Sequence, residues 1–311
     1  MRREEKIWDV ARMIASDRSL LADQRPSLRQ TAYTATWWFR RLPDWLVIGG
    51  QRCGTTALDG YLRFHPGIGS ARIDEVHYFT YNFHRGAPWY RGYFPTDAHR
   101  AWVRHRYGLP TIAGETTPYY LFHPRAPQRV RDVLPDVKML IILRDPVERA
   151  YSHYHHEVML GFETLSFDEA IAAESDRLRG EEERILSDAR YYSFAHQHYS
   201  YVARGMYIDQ LERWSALFPK ERFMTVRTED LVERPREVMS GIFTFLGLPP
   251  DHLPKTVVAS GGDRAGTTPD PRGWAGSSRP PMNPETREML RARFADANQR
   301  LGAFLDRDME W

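Results

Sequence analysis

Cysteine occurs once in these 311 residues, at Cys53. No intrachain disulfide can form, which fits a reducing compartment, and a cytoplasmic location is expected. Lysine is nearly as scarce. Lys6, Lys138, Lys220 and Lys255 are the whole set, so almost all of the 43 basic residues are arginine. Arginine's planar fork suits a bidentate grip on phosphate or sulfate, although a GC-rich genome explains the same bias without a ligand. The net charge of +2 gives no electrostatic support to a nucleic-acid-coating role. No run approaches the length needed to span a bilayer, so no integral membrane span is expected. The start, Met1-Arg2-Arg3-Glu4-Glu5-Lys6, has no apolar segment behind it and does not read as a signal peptide. Paired Cys-x-x-Cys and His-Glu-x-x-His patterns are missing as well.

What is present is enough for a substantial core: 42% hydrophobic and 13% aromatic residues. Residues 1–43 read as an arm of mixed polarity ending near Pro43, and residues 44–311 as one domain. In the arm, Trp37-Trp38-Phe39 is the sharpest candidate for an exposed apolar cluster, with packing onto the chain's own domain as the alternative. Trp45–Ile48 reads as a strand, and a helix follows over about residues 55–64, stopped by His65-Pro66-Gly67. A short strand is expected near residues 111–115. Lys138–Arg144 is a continuous apolar run of the kind found in a buried parallel strand. Asp145-Pro146-Val147-Glu148 then places Asp at the N-cap, Pro at N1 and Glu at N3 of a helix running to about Leu160. Later segments predict a helix over 206–218, a strand over 222–228 and a helix over 236–246. A final helix from Asn283-Pro284 carries an apolar stripe at Leu290, Phe294, Ala297, Leu301 and Phe304. The alternation predicts an α/β fold, with a parallel sheet flanked by helices on both faces.

The most telling stretch is Leu46-Val47-Ile48-Gly49-Gly50-Gln51-Arg52-Cys53-Gly54-Thr55-Thr56-Ala57-Leu58. A strand enters a glycine-rich loop, and the loop opens a helix. Such a turn aims backbone N–H groups and a helix N-terminus at one spot, which suits a phosphate. The spacing is P-loop-like, yet the Walker lysine position holds Thr55 and the cation lies inside the loop, as Arg52. A glycine-rich turn without a ligand is the plainer alternative. Cys53 reads as a small loop residue rather than a nucleophile.

Three separated segments resemble the PAPS-dependent sulfotransferases, closest to the branch that sulfates heparan sulfate at N and 3-O positions. Gly49–Leu58 resembles their 5′-phosphosulfate loop. Leu143-Arg144-Asp145-Pro146-Val147-Glu148-Arg149-Ala150-Tyr151-Ser152 resembles their 3′-phosphate segment. Met282-Asn283-Pro284-Glu285 through Asp308-Met309-Glu310-Trp311 is similar to their C-terminus. Echoes at Gly114–Tyr120, Gly205-Met206-Tyr207 with Leu211 and Trp214, Thr228–Leu231 and Phe245–Leu248 extend the resemblance over about residues 45–311.

The resemblance implies PAPS as donor and PAP as product, with no metal required. It implies Gln51, Arg52, Cys53, Gly54, Thr55 and Thr56 at the 5′ end, Arg144 and Ser152 at the 3′-phosphate, and Arg272-Gly273 closing over it, with Arg264 or Arg279 as other choices. Arg52 stands where the family usually has lysine. Glu75, in Asp74-Glu75-Val76-His77-Tyr78-Phe79, matches the family's catalytic base, and His77 its supporting histidine. Glu115 is a second carboxylate candidate that would orient the acceptor or Arg52. Thr116 replaces a lysine common in the heparan enzymes, which weakens the case for a polyanionic acceptor. Residues 70–105 and 160–200 are expected to line the acceptor site, with Trp89, Tyr90, Trp102, Tyr191 and Tyr192 available for stacking or for the core. The run His153-Tyr154-His155-His156 is set aside as a metal site because its helix is expected to bind phosphate.

The implied reaction moves a sulfuryl group from PAPS to a hydroxyl, or as second choice an amine, of a glycan, glycolipid or secondary metabolite. It proceeds by in-line displacement, in a soluble relative of bacterial type. A P-loop nucleotide kinase or NTPase, and a non-catalytic PAP(S)-binding module, are the alternatives.

Overall fold

The computed structural model describes residues 28–252 and 280–311. The first part of the N-terminal arm, and Arg264, Arg272, Gly273 and Arg279, lie outside these residues. Five parallel strands form one sheet in the order β2-β3-β1-β4-β5. They are β1 (Trp45–Gly49), β2 (Ile68–Ser70), β3 (Ile112–Thr116), β4 (Lys138–Leu143) and β5 (Phe223–Arg227). Every residue of β1 is buried, as are Met139–Leu143 of β4. Their unbroken apolar runs therefore mark the centre of the sheet rather than its edges. Trp45 pairs with Gly114 across β1 and β3. A Cβ on Gly114 would stand 2.1 Å from the Trp45 ring, so only glycine fits there.

The helices that position the site are α1 (Thr55–Leu62), α2 (Tyr119–Phe122), α3 (Pro146–Met159), α4 (Phe167–Leu178), α5 (Phe194–His198), α6 (Tyr207–Ser215) and α7 (Pro284–Leu305). Asp145 caps α3, accepting from the N–H groups of Val147 and Glu148 at 2.8 and 3.4 Å. The helix stops before Gly161, whose φ of 76° is left-handed. On α7 the expected stripe is buried at Leu290, Phe294, Ala297 and Leu301. Trp214 of α6 is wholly buried and donates its indole N–H to Leu121 O at 3.1 Å, tying α6 to α2.

The chain returns to opposite sides of β1: β2 and β3 lie on one side, β4 and β5 on the other. That reversal is where an open α/β sheet leaves a crevice at the carboxyl ends of its strands. The turn after β1 and the turn after β4 therefore face each other. Among the described residues no helix is long and apolar enough to cross a membrane. Trp38 and Phe39 are 57% and 56% exposed, so this pair stands out from the domain surface.

Candidate active site

The turn after β1 is built as a cradle. Gly50 N–H reaches across to Ile142 O of β4 at 2.6 Å, and Cys53 N–H closes back on Gly50 O at 3.2 Å. Gly54, at φ 93°, is the N-cap of α1 and contributes no side chain. The first amides of α1 are thus left for a ligand. Thr55 is buried and Thr56 exposed. Cys53 is buried, with Sγ 3.5 Å from Tyr207 Oη. Burial pushes its thiol up, against the hydrogen bond with Tyr207, as expected for a structural cysteine. Two residues outside the turn lock it to β4. Thr228 donates to Cys53 O at 2.5 Å or Leu143 O at 3.0 Å, and Tyr207 donates to Arg144 O at 2.9 Å.

The second segment arrives where the first points. Arg144 follows the carboxyl end of β4 and is buried, with Nη2 a long 4.0 Å from Glu148 Oε2. Ser152 is buried on α3. Arg52 Nε donates to Ser152 Oγ at 3.2 Å, a contact between residues 100 positions apart. The loop cation and the proposed 3′-phosphate serine therefore share one cleft. A guanidinium, a serine hydroxyl, a second arginine and an uncapped helix N-terminus form a donor set that matches a doubly anionic nucleotide.

Glu75 and His77 lie in the loop after β2. Both adopt left-handed backbone, at φ 51° and 53°, and so does Arg52 at 65°. Only two other described non-glycine residues do so, Asp306 and Glu310. Such conformations cost about 1–3 kcal/mol each and persist where the surroundings impose them, commonly at functional sites. The turn brings Glu75 Oε2 to 3.0 Å from His77 Nε2. The Glu75 side chain is 49% exposed, open to the cleft. Desolvation pushes its carboxyl up, but the hydrogen bond and charge of His77, then the positive fields of Arg204 and His156, hold it below the usual carboxylate value. On the far side of the ring, His77 Nδ1 meets Thr80 Oγ1 at 3.3 Å, and that hydroxyl is 3.1 Å from His77 O. If Thr80 donates to the carbonyl, both ring nitrogens donate and His77 is cationic. If it donates to Nδ1, a neutral ring donates Nε2–H to Glu75.

Glu115 is placed differently. It is buried and accepts from Tyr90, Tyr120 and Thr117 at 2.7, 2.7 and 2.6 Å. Burial raises its pKa and the three hydroxyls only partly offset this, so it serves as a core anchor. Trp89 packs in the same aromatic layer, 4.8 Å edge-on from Tyr93, with the Arg85 guanidinium 5.2 Å from its ring. It is 7% exposed, so it faces the interior. Tyr191 is half-buried and donates to Glu181 at 2.7 Å. Tyr192 Oη lies 3.1 Å from His198 Nε2, and Tyr192 stands edge-on to Tyr81, which stacks on His77.

Two residues join the site that the sequence reading does not place there: His156, weighed only as part of a metal-binding run, and Arg204. His156 of α3 feels both Arg52 and Glu75; burial and then Arg52 push its pKa down. Arg204, in the turn Ala203–Gly205, is buried and donates to Gln51 Oε1. The arginine-histidine content of residues 153–204 was the available signal, but its direction was not readable. Among the described residues no group of three His, Cys, Asp or Glu side chains is arranged to hold a metal ion.

Comparison with known proteins gives the family. The family model described as "Sulfotransferase domain" matches residues 42–259. Heparan sulfate glucosamine 3-O-sulfotransferase 6 of Mus musculus is 32% identical over 214 residues, covering 67% of this chain and 53% of that protein. Membrane-associated sulfotransferase kil1 of Dictyostelium discoideum is 25% identical, covering 87% and 66%. Bifunctional heparan sulfate N-deacetylase/N-sulfotransferase 3 of Mus musculus is 29% identical, covering 86% and 30%. The chain therefore spans between 30% and 66% of the length of these curated relatives. Among solved structures, a sulfotransferase from Alicyclobacillus acidocaldarius aligns with a TM-score of 0.61 and 31% identity, covering 87% of this chain and 98% of that one.

Proposed function

The chain belongs to the sulfotransferase domain family, whose enzymes use PAPS, and from that premise we propose that it transfers a sulfuryl group to a hydroxyl, or as second choice an amine, of a glycan, glycolipid or secondary metabolite. PAPS, when bound, supplies the sulfuryl group and departs as PAP. The amides of Gly54–Thr56 and the Thr55 and Thr56 hydroxyls hold its 5′ end. Arg144 and Ser152 hold the 3′-phosphate, and the resemblance adds Arg272-Gly273. Arg52 meets the negative charge that develops at the bridging oxygen. Glu75 accepts the acceptor's proton and His77 steadies the carboxylate. In-line displacement needs acceptor, sulfur and leaving oxygen aligned between Glu75 and Arg52; that His156 feels the charge of both supports this reading.

The observation that carries this reading is the Arg52–Ser152 contact at 3.2 Å, because it puts both anion grips in one cleft. The acceptor is chosen by the other wall. Thr116 donates to Asp59 at 3.2 Å, and the Arg63 cation beside it is paired with Asp59 and Asp74, which favours an acceptor less anionic than the heparan sulfate in the relatives' names. A cytoplasmic location belongs to the same proposal, supported by the lone cysteine, and cell fractionation tests it.

Purified protein incubated with sulfur-labelled PAPS and a panel of glycans, glycolipids and phenolic or aliphatic alcohols should label at least one acceptor. Failure to bind PAP at all rejects the proposal. Nothing in the site favours a Walker-type NTPase, since Thr55 holds the lysine position and Asp145 is engaged in capping α3. A non-catalytic module is separated by Glu75→Gln, because such a module has no turnover to lose.

A further inference from the structure

We infer that Arg204 is a positioning residue for both halves of the transfer: through Gln51 it holds the donor loop, and through its charge it holds Glu75 ready as a base. The inference rests on the function proposed above. Arg204 is 4% exposed. One guanidinium nitrogen, Nη1, donates to Gln51 Oε1, joining residues 153 positions apart. The other, Nη2, donates to the carbonyls of His196 and Gln197 at 3.1 and 2.7 Å. The guanidinium carbon lies 4.7 Å from the Tyr119 ring centre and 5.1 Å from that of Phe122.

Its backbone is fixed too. Glu174 accepts from the N–H groups of Val202 and Ala203 at 2.7 and 2.8 Å, and Gln210 donates to Arg204 O at 2.9 Å. Among the described residues no carboxylate forms an ion pair with Arg204, and its buried Nε has no hydrogen-bond partner. A buried cation without a carboxylate is costly unless an anion completes it. Its guanidinium is bonded to the loop that would hold a phosphosulfate. The Tyr119 ring it lies over stands edge-on to His77 at 6.2 Å, and His77 pairs with Glu75, so its field reaches that carboxylate. The donor anion adds to the partial counter-charge that Glu157 and Glu75 supply from a distance. Burial accordingly lowers the Arg204 pKa to about 10, with Tyr119, Glu157 and Glu75 opposing and Arg149 assisting.

The charged groups facing Glu75 are His77 from its own loop, His156 from α3 and Arg204 from the turn before α6. Arg63 pairs with the neighbouring Asp74 at 3.6 Å. Three variants separate the two roles: Gln51→Ala cuts the link but keeps the charge, Arg204→Lys keeps the charge but loses the fork, and Arg204→Gln loses both. Each is measured by calorimetric titration with PAP, by the pH profile of kcat/KM and by thermal melting.

Gln51→Ala and Arg204→Lys are expected to weaken PAP binding about 10-fold, the loss of one charge-assisted hydrogen bond, with the acid limb of the pH profile unmoved. Arg204→Gln is expected to weaken PAP equally and to move that limb to higher pH, because Glu75 loses a cation that favours its ionised form. A merely structural arginine would lower the melting temperature and leave PAP affinity and the acid limb alone; that result overturns the inference. If Arg204→Gln does not fold, wild-type PAP affinity in both Gln51→Ala and Arg204→Lys overturns it. A wild-type chain that neither binds PAP nor transfers rejects the underlying function, whereas one that does both beside indifferent variants rejects only the role of Arg204.

Discussion

Glu75 and Glu115 are both acids that the sequence nominates, and the fold treats them in opposite ways. Glu115 is sealed in the sheet's aromatic flank with three hydroxyl donors and no cation as hydrogen-bond partner, and its pKa is raised. Glu75 stands half-open in the cleft among His77, Arg204 and His156, and its pKa is lowered. Neutral donors around a buried acid make an anchor. Cations around an open one make a site where a proton can be taken and passed on.

The strongest test of that contrast is kinetic. Glu75→Gln should lower kcat by about 10²–10⁴-fold, the usual worth of a positioned general base, while PAP affinity stays near wild type. Glu115→Gln should leave the pH profile of any residual transfer unchanged; equal kinetic losses in both variants would erase the contrast. Next in size is the donor side. Arg144→Ala should weaken PAP by roughly 10- to 150-fold, since a hydrogen bond to a charged group is worth about 1.5–3 kcal/mol, and Glu75→Gln provides the control titration.

A third test uses stability. Glu115→Gln should cost about 1–3 kcal/mol in urea unfolding, because a buried hydrogen-bonded acceptor is altered. The pH dependence should have opposite sign at the two acids. With its folded pKa raised, Glu115 stabilises fully below its unfolded value of 4.5 and loses this as pH rises through the folded value. With its folded pKa lowered, Glu75 stabilises above 4.5 and loses this as pH falls through the folded value. Melting curves of the two variants against wild type across pH 3–8 read those slopes directly.

The smallest effect is expected at Thr80. Thr80→Val removes the hydroxyl behind His77 and should cost a few-fold in kcat with little change in PAP affinity; a loss as large as that of Glu75→Gln would place Thr80 in a larger role than the geometry gives it.

The parts legible in the sequence are those written in local chemistry. Asp145-Pro146 announces its helix, the continuous run Met139–Leu143 announces a central strand, and the glycines between Gly49 and Gly54 announce a cradle. The pairing of Glu75 with His77 was also within reach; two left-handed residues in one loop put them side by side. Trp89 and Glu115 show the limit, for an aromatic or acidic residue carries no mark of whether it will face a cleft or a core. Arg204 was invisible for another reason. It meets Gln51 only because Glu174 and Gln210 fix the turn before α6, and no local pattern spans that distance.

Calorimetric titration of the chain with PAP, alongside Arg144→Ala and Arg52→Ala, bears most directly on the claim that one cleft grips both ends of a single nucleotide. The account predicts one PAP bound per chain, and clear weakening in each variant. A wild-type chain that gives no binding heat, or variants that bind PAP as wild type does, would contradict it.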